Sequence, residues 1–142
     1  MTKPGPGSLV SRTAGRVLIV DDDVEFVTFM REFLVDWGYE VDRAAHGADA
    51  LVASRLVRPD LVLLDLKMRG LSGLEVLKRL RTMDATIPVI MVTADDDPLL
   101  IRETREIGAY GYLVKPVDFD HLKRMIHEAL APARQSDPGV EA

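Results

Sequence analysis

Asp21, Asp22 and Asp23 follow directly on the apolar run VLIV, and neighbouring carboxylates repel and resist joint ionisation. Asp65 likewise ends the run LVLL, Thr93 ends VIMV, and Lys115 ends YLV. If these positions converge, the carboxylates need a cation to neutralise them. Magnesium suits them, because it prefers oxygen ligands, keeps several waters, and is commonly held by one or two carboxylates together with phosphate oxygens. Lys115 adds a point charge for a phosphoryl oxygen, and Thr93 a hydroxyl donor. A carboxylate nucleophile, a magnesium ion, a lysine and a hydroxyl are the parts of phosphoryl transfer, in which positioning and charge neutralisation carry most of the catalysis.

The surrounding pattern supplies elements able to bring these groups together. RVLIV is rich in β-branched residues and too short for a helix, so it predicts a buried strand ending at the aspartates. Phe26, Phe29, Met30, Phe33, Leu34 and Trp37 then recur at spacings of three and four, which predicts a helix with one apolar stripe, ended by Gly38. YEVDRAA reads as a strand, HGADALVASRLVRP as a helix stopping near Pro59, and DLVLLD as a second buried strand. SGLEVLKRLR (helix), PVIMVTA (strand), PLLIRETREIG (helix), YGYLVK (strand) and DFDHLKRMIHEAL (helix, capped by Asp118) complete five strands alternating with five helices. Such alternation predicts a doubly wound α/β fold, a five-stranded parallel sheet covered on both faces by five helices. Ligands of open sheets of this kind collect beyond the carboxyl ends of the strands. Asp21, Asp22, Asp65, Thr93 and Lys115 would therefore share one edge.

Composition narrows the alternatives. With 142 residues the chain accommodates one domain with a single core, and 47% hydrophobic with 29% charged residues is the balance of a globular protein. The absence of cysteine excludes disulfides, thiol nucleophiles and cysteine-ligated zinc. A net charge of −5 argues against direct nucleic-acid binding. No apolar run approaches the roughly 20 residues needed to span a bilayer, and the start carries no secretory signal, so a cytoplasmic protein without membrane contact is expected. Residues 1–15 and 132–142, rich in Gly, Pro, Ser or Thr, read as flexible tails around a domain over residues 16–131. His46, His121 and His127 read as surface residues.

The ordered elements VLIVDDD, DLVLLDLKMRGLSGLEVL, PVIMVTA and GAYGYLVKP together resemble the receiver domain of bacterial two-component response regulators, from about Arg16 to Leu130. The resemblance implies a flavodoxin-like fold and a phosphorylation-activated switch that catalyses at most its own phosphorylation and dephosphorylation. It implies that Asp65 accepts a phosphoryl group from a sensor histidine kinase or phosphotransfer protein. It further implies that Asp22, Asp65 and the backbone carbonyl of Lys67 bind magnesium, with Asp21 acting through water. Lys115, joined to Pro116 by a cis bond, would contact the phosphoryl group, and Thr93 with Tyr112 would form the switch pair. Partners implied downstream are an effector protein or an output domain, with a homodimer through the fourth helix, fifth strand and fifth helix; Arg102, Glu103, Arg105, Glu106, Lys123 and Arg124 could supply charge pairs there.

Other readings of the same residues stay open at this level. Asp23 could replace Asp22 as metal ligand, or either could cap the following helix; Thr93 could cap a turn, and Tyr112 could be core. Asp95, Asp96 and Asp97 read as a solvated loop and helix-capping acids. Arg69 stands where receivers usually carry proline, which removes a rigid φ and adds a long cation beside the acceptor loop. Two competing functions remain. One is a receiver-like interaction module that is never phosphorylated. The other is a haloacid-dehalogenase-like magnesium phosphatase using Asp21 and Asp23, although Glu25 stands where that family expects threonine or valine.

Overall fold

A computed structural model describes residues 14–131. In chain order the elements are β1 (Gly15–Val20), α1 (Val24–Asp36), β2 (Tyr39–Ala44), α2 (Gly47–Val57), β3 (Leu61–Leu64), α3 (Gly73–Met83), β4 (Val89–Thr93), α4 (Pro98–Ile107), β5 (Gly111–Val114) and α5 (Phe119–Ala129). The five strands form one parallel sheet in the order β2-β1-β3-β4-β5. The segments read as tails lie outside the described residues except Ala14 and Gly15, and Gly15 already belongs to β1.

Strand periodicity explains the two-sided core. Val17 and Ile19 of β1, with Leu61 and Leu63 of β3, point to one face and pack with α1 and α5 through Val27, Met30, Leu34, Leu122 and Ile126. Leu18 and Val20, with Val62 and Leu64, point to the other face and meet Ala50 of α2 and Val76, Leu77 and Leu80 of α3. This is why the central strands read as continuous apolar runs: both faces are covered.

The helix starts follow from short polar side chains. Asp23, Ser72, Asp97 and Asp118 each accept a hydrogen bond from a backbone N–H in the first turn of α1, α3, α4 and α5. α1 departs from its expected stripe. Its buried positions are Val27, Met30 and Leu34, while Phe29 is half exposed. Phe29 and Phe33 instead run along the flank of the helix and meet Phe119 at the start of α5, Phe33 stacking on it with ring centroids 4.0 Å apart. A strip at i, i+3, i+7 faces the sheet, and the aromatic row one position earlier faces the neighbouring helix.

Candidate functional site

β1, β3, β4 and β5 all deliver polar residues at their carboxyl ends. One carboxylate oxygen each from Asp21, Asp22 and Asp65 lie within 4.8 Å of one another. Asp21 and Asp65 are buried and Asp22 is half-buried. These are hard oxygen donors on a partly wet edge, a set that fits magnesium. Among the described residues no other group of acids and histidines comes together in this way. The three histidines are exposed.

The three consecutive aspartates have separate fates. Asp21 Oδ1 accepts from the backbone N–H of Asp23 at 2.9 Å, and its Oδ2 accepts from Lys115 Nζ at 2.8 Å. Asp22 joins the acidic cluster. Asp23 is exposed and caps α1, accepting from the Phe26 N–H at 3.1 Å. With Asp23 committed to the cap, Asp22 supplies the second carboxylate beside Asp21, and the aspartate-any-aspartate pairing of the phosphatase reading has no support in the geometry.

Asp65 lies where β3 stops, its chain direction held by its N–H donating to the Val20 carbonyl at 3.0 Å. Burial pushes its carboxyl above the ordinary range, and the nearby Asp21 charge adds to the rise. Lys115, the Thr93 hydroxyl and the Lys67 backbone N–H, which donates at 3.4 Å, pull it back down. A carboxylate so balanced is poorly solvated yet ionisable. The loop after it is braced by α3: the Gly73 N–H donates to the Leu66 carbonyl at 2.9 Å, and a side chain at Gly73 would collide with the Asp65–Leu66 backbone.

Thr93 and Tyr112 are joined through a residue that the sequence reading treated only as a loop acid. The buried Thr93 Oγ1 accepts from the Asp95 N–H at 3.4 Å, and the Tyr112 hydroxyl donates to the Asp95 carbonyl at 2.6 Å. Burial, followed by the acids at 95–97, pushes the Tyr112 phenol up to about 12, so it remains a donor at any physiological pH. The Asp95 carboxylate lies 3.6 Å from Lys67 Nζ and accepts from the Asp97 N–H at 3.0 Å. Asp95 thus ties the loop after β3 to the loop after β4. Its position two residues past a strand-end threonine was the available signal. Lys115–Pro116 is cis, and Arg69 is exposed beside Gly70, whose φ is +77°.

Comparison with known proteins gives a consistent picture. The family model for the response regulator receiver domain matches residues 17–127. The transcriptional regulatory protein ZraR of Klebsiella oxytoca is 40% identical over 124 residues, covering 87% of this chain but 28% of its own length. Sporulation initiation phosphotransferase F of Bacillus subtilis is 38% identical over 115 residues, 81% of this chain and 93% of that protein. Among solved structures, the chemotaxis protein CheY4 of Vibrio cholerae superimposes with a TM-score of 0.76 at 32% identity, covering 81% of this chain and 98% of that one.

Proposed function

The chain belongs to the response regulator receiver domains, and from that membership we propose that it is a phosphorylation-activated signalling switch whose acceptor is Asp65. The carrying observation is the placement of Asp65: a buried carboxylate at the end of β3, clustered with Asp21 and Asp22 and drawn toward ionisation by Lys115 and Thr93. A phosphohistidine on a sensor kinase or phosphotransfer protein is the donor in this reading. An Asp65 oxygen attacks phosphorus, the new O–P bond forms as the donor's P–N bond breaks, and the imidazole leaves with the electron pair of that bond.

Asp22, Asp65 and the Lys67 carbonyl would hold magnesium directly, with Asp21 behind a water. When bound, that ion supplies positive charge for the phosphoryl oxygens. Lys115 supplies a further positive charge to the incoming group, and Thr93 donates its hydroxyl. Both pre-existing contacts of these groups are exchangeable: Lys115 has Asp21, and Thr93 has the Asp95 N–H.

The switch follows from replacing the single charge of the Asp65 carboxylate by an acyl phosphate, a gain of about one negative charge and of several acceptor oxygens at the sheet edge. Thr93 gains a partner, and the Asp95 segment, which also holds Tyr112, is biased toward a second arrangement. The readout face is α4–β5–α5, where Leu99, Tyr110 and Val114 are exposed apolar residues. That face serves a homodimer or a downstream effector, either a separate protein or an output domain. Among the described residues no helix is long and apolar enough to cross a membrane.

Intact mass after incubation with acetyl phosphate tests the assignment. One phosphoryl adduct is expected, requiring magnesium and absent in Asp65→Asn. No adduct under any condition refutes the switch and favours the unphosphorylated interaction module, while phosphate release without an adduct favours the phosphatase.

A further inference from the structure

Four contacts close a ring beside the acidic cluster, which it joins through Asp21. Asp21 Oδ1 accepts from the Asp23 N–H at 2.9 Å, and Asp23 Oδ1 accepts from the Phe26 N–H at 3.1 Å. The Phe26 ring centroid lies 4.0 Å from Lys115 Nζ, and Lys115 Nζ donates back to Asp21 Oδ2 at 2.8 Å. The ammonium is therefore held by two unlike neighbours, a carboxylate and the face of an aromatic ring.

The difference between those neighbours matters chemically. An ammonium has three N–H donors and no acceptor. Asp21 takes one of them. A ring face attracts the cation through its quadrupole and brings no net charge. A second carboxylate in the ring's place would hold Lys115 as firmly, yet it would occupy another donor and repel the anionic group that Lys115 is there to meet. The cap set by Asp23 fixes where the first turn of α1 places Phe26, so the third aspartate of the run acts on the site through this ring. The same helix grips the far side of the loop, since Phe29 and Phe33 meet Phe119 with centroids 5.4 and 4.0 Å apart. The segment from Lys115 to Phe119 is pinned to α1 at both ends.

We infer that Phe26 is a positioning residue for phosphoryl transfer, its ring holding the Lys115 ammonium over the acceptor site with donors free for phosphoryl oxygens. This rests on the reading of Asp65 as acceptor. Phe26→Leu keeps apolar cover and removes the ring face; Phe26→Tyr keeps the face.

The test pairs two readouts on the intact chain. The first is the rate of the magnesium-dependent adduct with acetyl phosphate, followed by intact mass. The second is the proton NMR shift of the Lys115 ε-methylene, which the ring current displaces whether or not the protein is phosphorylated. In Phe26→Leu the adduct forms about five-fold more slowly, and the Lys115 signal moves toward its unstructured position; Phe26→Tyr restores both. Wild-type rate in Phe26→Leu, an unmoved Lys115 signal, or failure of Phe26→Tyr to restore the rate overturns the inference. Failure of the acceptor reading is separately visible, because the wild-type protein would then form no adduct at all, and the role of Phe26 would fall with it.

Discussion

Replacing Gly73 with alanine tests how tightly α3 is wedged against the acceptor loop. A Cβ built there lies 2.6 Å from Leu66 Cα and 2.8 Å from the Asp65 carbonyl carbon, and closer still to the Asp65 carbonyl oxygen. Carbon atoms settle at about 3.5–4.0 Å, so helix and loop must separate by roughly 1 Å. Neither side is soft. The Asp65 N–H is bonded to Val20, Leu64 is paired with Met91 in the sheet, and the Gly73 N–H is bonded to Leu66. Overpacking of this kind costs about 1–3 kcal/mol, and the better helix propensity of alanine returns less than about 1 kcal/mol at a first-turn position. A net loss of about 2 kcal/mol is expected in urea unfolding followed by circular dichroism. Because the displaced backbone carries Asp65, a shift of about 1 Å at the reacting group also slows acetyl phosphate labelling, by tenfold or more up to about a hundredfold. Gly47→Ala is the comparison: its Cβ would press on the side chains of Leu71 and Val76 and on the Leu71 carbonyl, at the far end of the same loop and not on the Asp65–Leu66 backbone, so it should lower stability with a smaller rate loss. Gly73→Ala with stability within about 0.5 kcal/mol of wild type and an unchanged labelling rate would refute the wedge.

Three further outcomes follow from single residues. Arg58 ends α2 with φ +50°, a left-handed conformation costly to any residue with a Cβ, so Arg58→Gly should stabilise the fold by about 0.5–1 kcal/mol in urea titration, and a loss would contradict it. Lys115→Met leaves the buried Asp21 charge with only the Asp23 N–H, costing about 2–3 kcal/mol without metal; removing that positive charge should also tighten magnesium binding about tenfold by calorimetry, and weaker binding would count against the site. Burial and Asp21 raise the folded-state pKa of Asp65 above 3.8, so its carboxylate costs stability at neutral pH, and that cost vanishes as pH falls through the raised value toward 3.8. Asp65→Asn should therefore stabilise the chelated protein at pH 7 in urea titration, the gain shrinking on acidification; a gain that grows toward low pH would reverse the sign.

Strand ends were legible because their apolar runs are continuous and each stops on a polar residue. VLIV and LVLL admit no other placement in a sheet buried on both faces, so Asp21, Asp22 and Asp65 had to emerge together at one edge. The stripe of α1 was harder. Six residues over positions 26–37 are large and apolar, and periodicity alone cannot say whether a helix presents Val27, Met30 and Leu34 or the aromatic row beside them to the sheet. α5 settles it, because Phe119 gives the aromatics a second surface. Asp95 was read as a solvated acid for a similar reason: its part in the site comes mainly through its backbone carbonyl and N–H, which no side-chain pattern encodes.

Three adjacent carboxylates pose an electrostatic problem that the fold resolves by separating them in burial and in partner. Asp23 leaves for the solvent side and spends its charge on the start of α1, where a negative group is favoured. Asp22 stays half-wet within the acidic cluster. Asp21 alone is buried, and it can be so only because Lys115 crosses from β5 to neutralise it. That dependence makes the ion pair more than a local contact. In the proposed switch a phosphoryl group on Asp65 would offer Lys115 a second anionic partner, met by the donors that Asp21 leaves free, and would draw the ammonium's charge away from Asp21. Magnesium held by the same carboxylates would share in compensating Asp21, so that acceptor, metal and lysine would be parts of one charge balance. The Phe26 ring is the one neighbour of the ammonium whose attraction does not depend on how that balance is struck, which is why its removal should be felt in the rate.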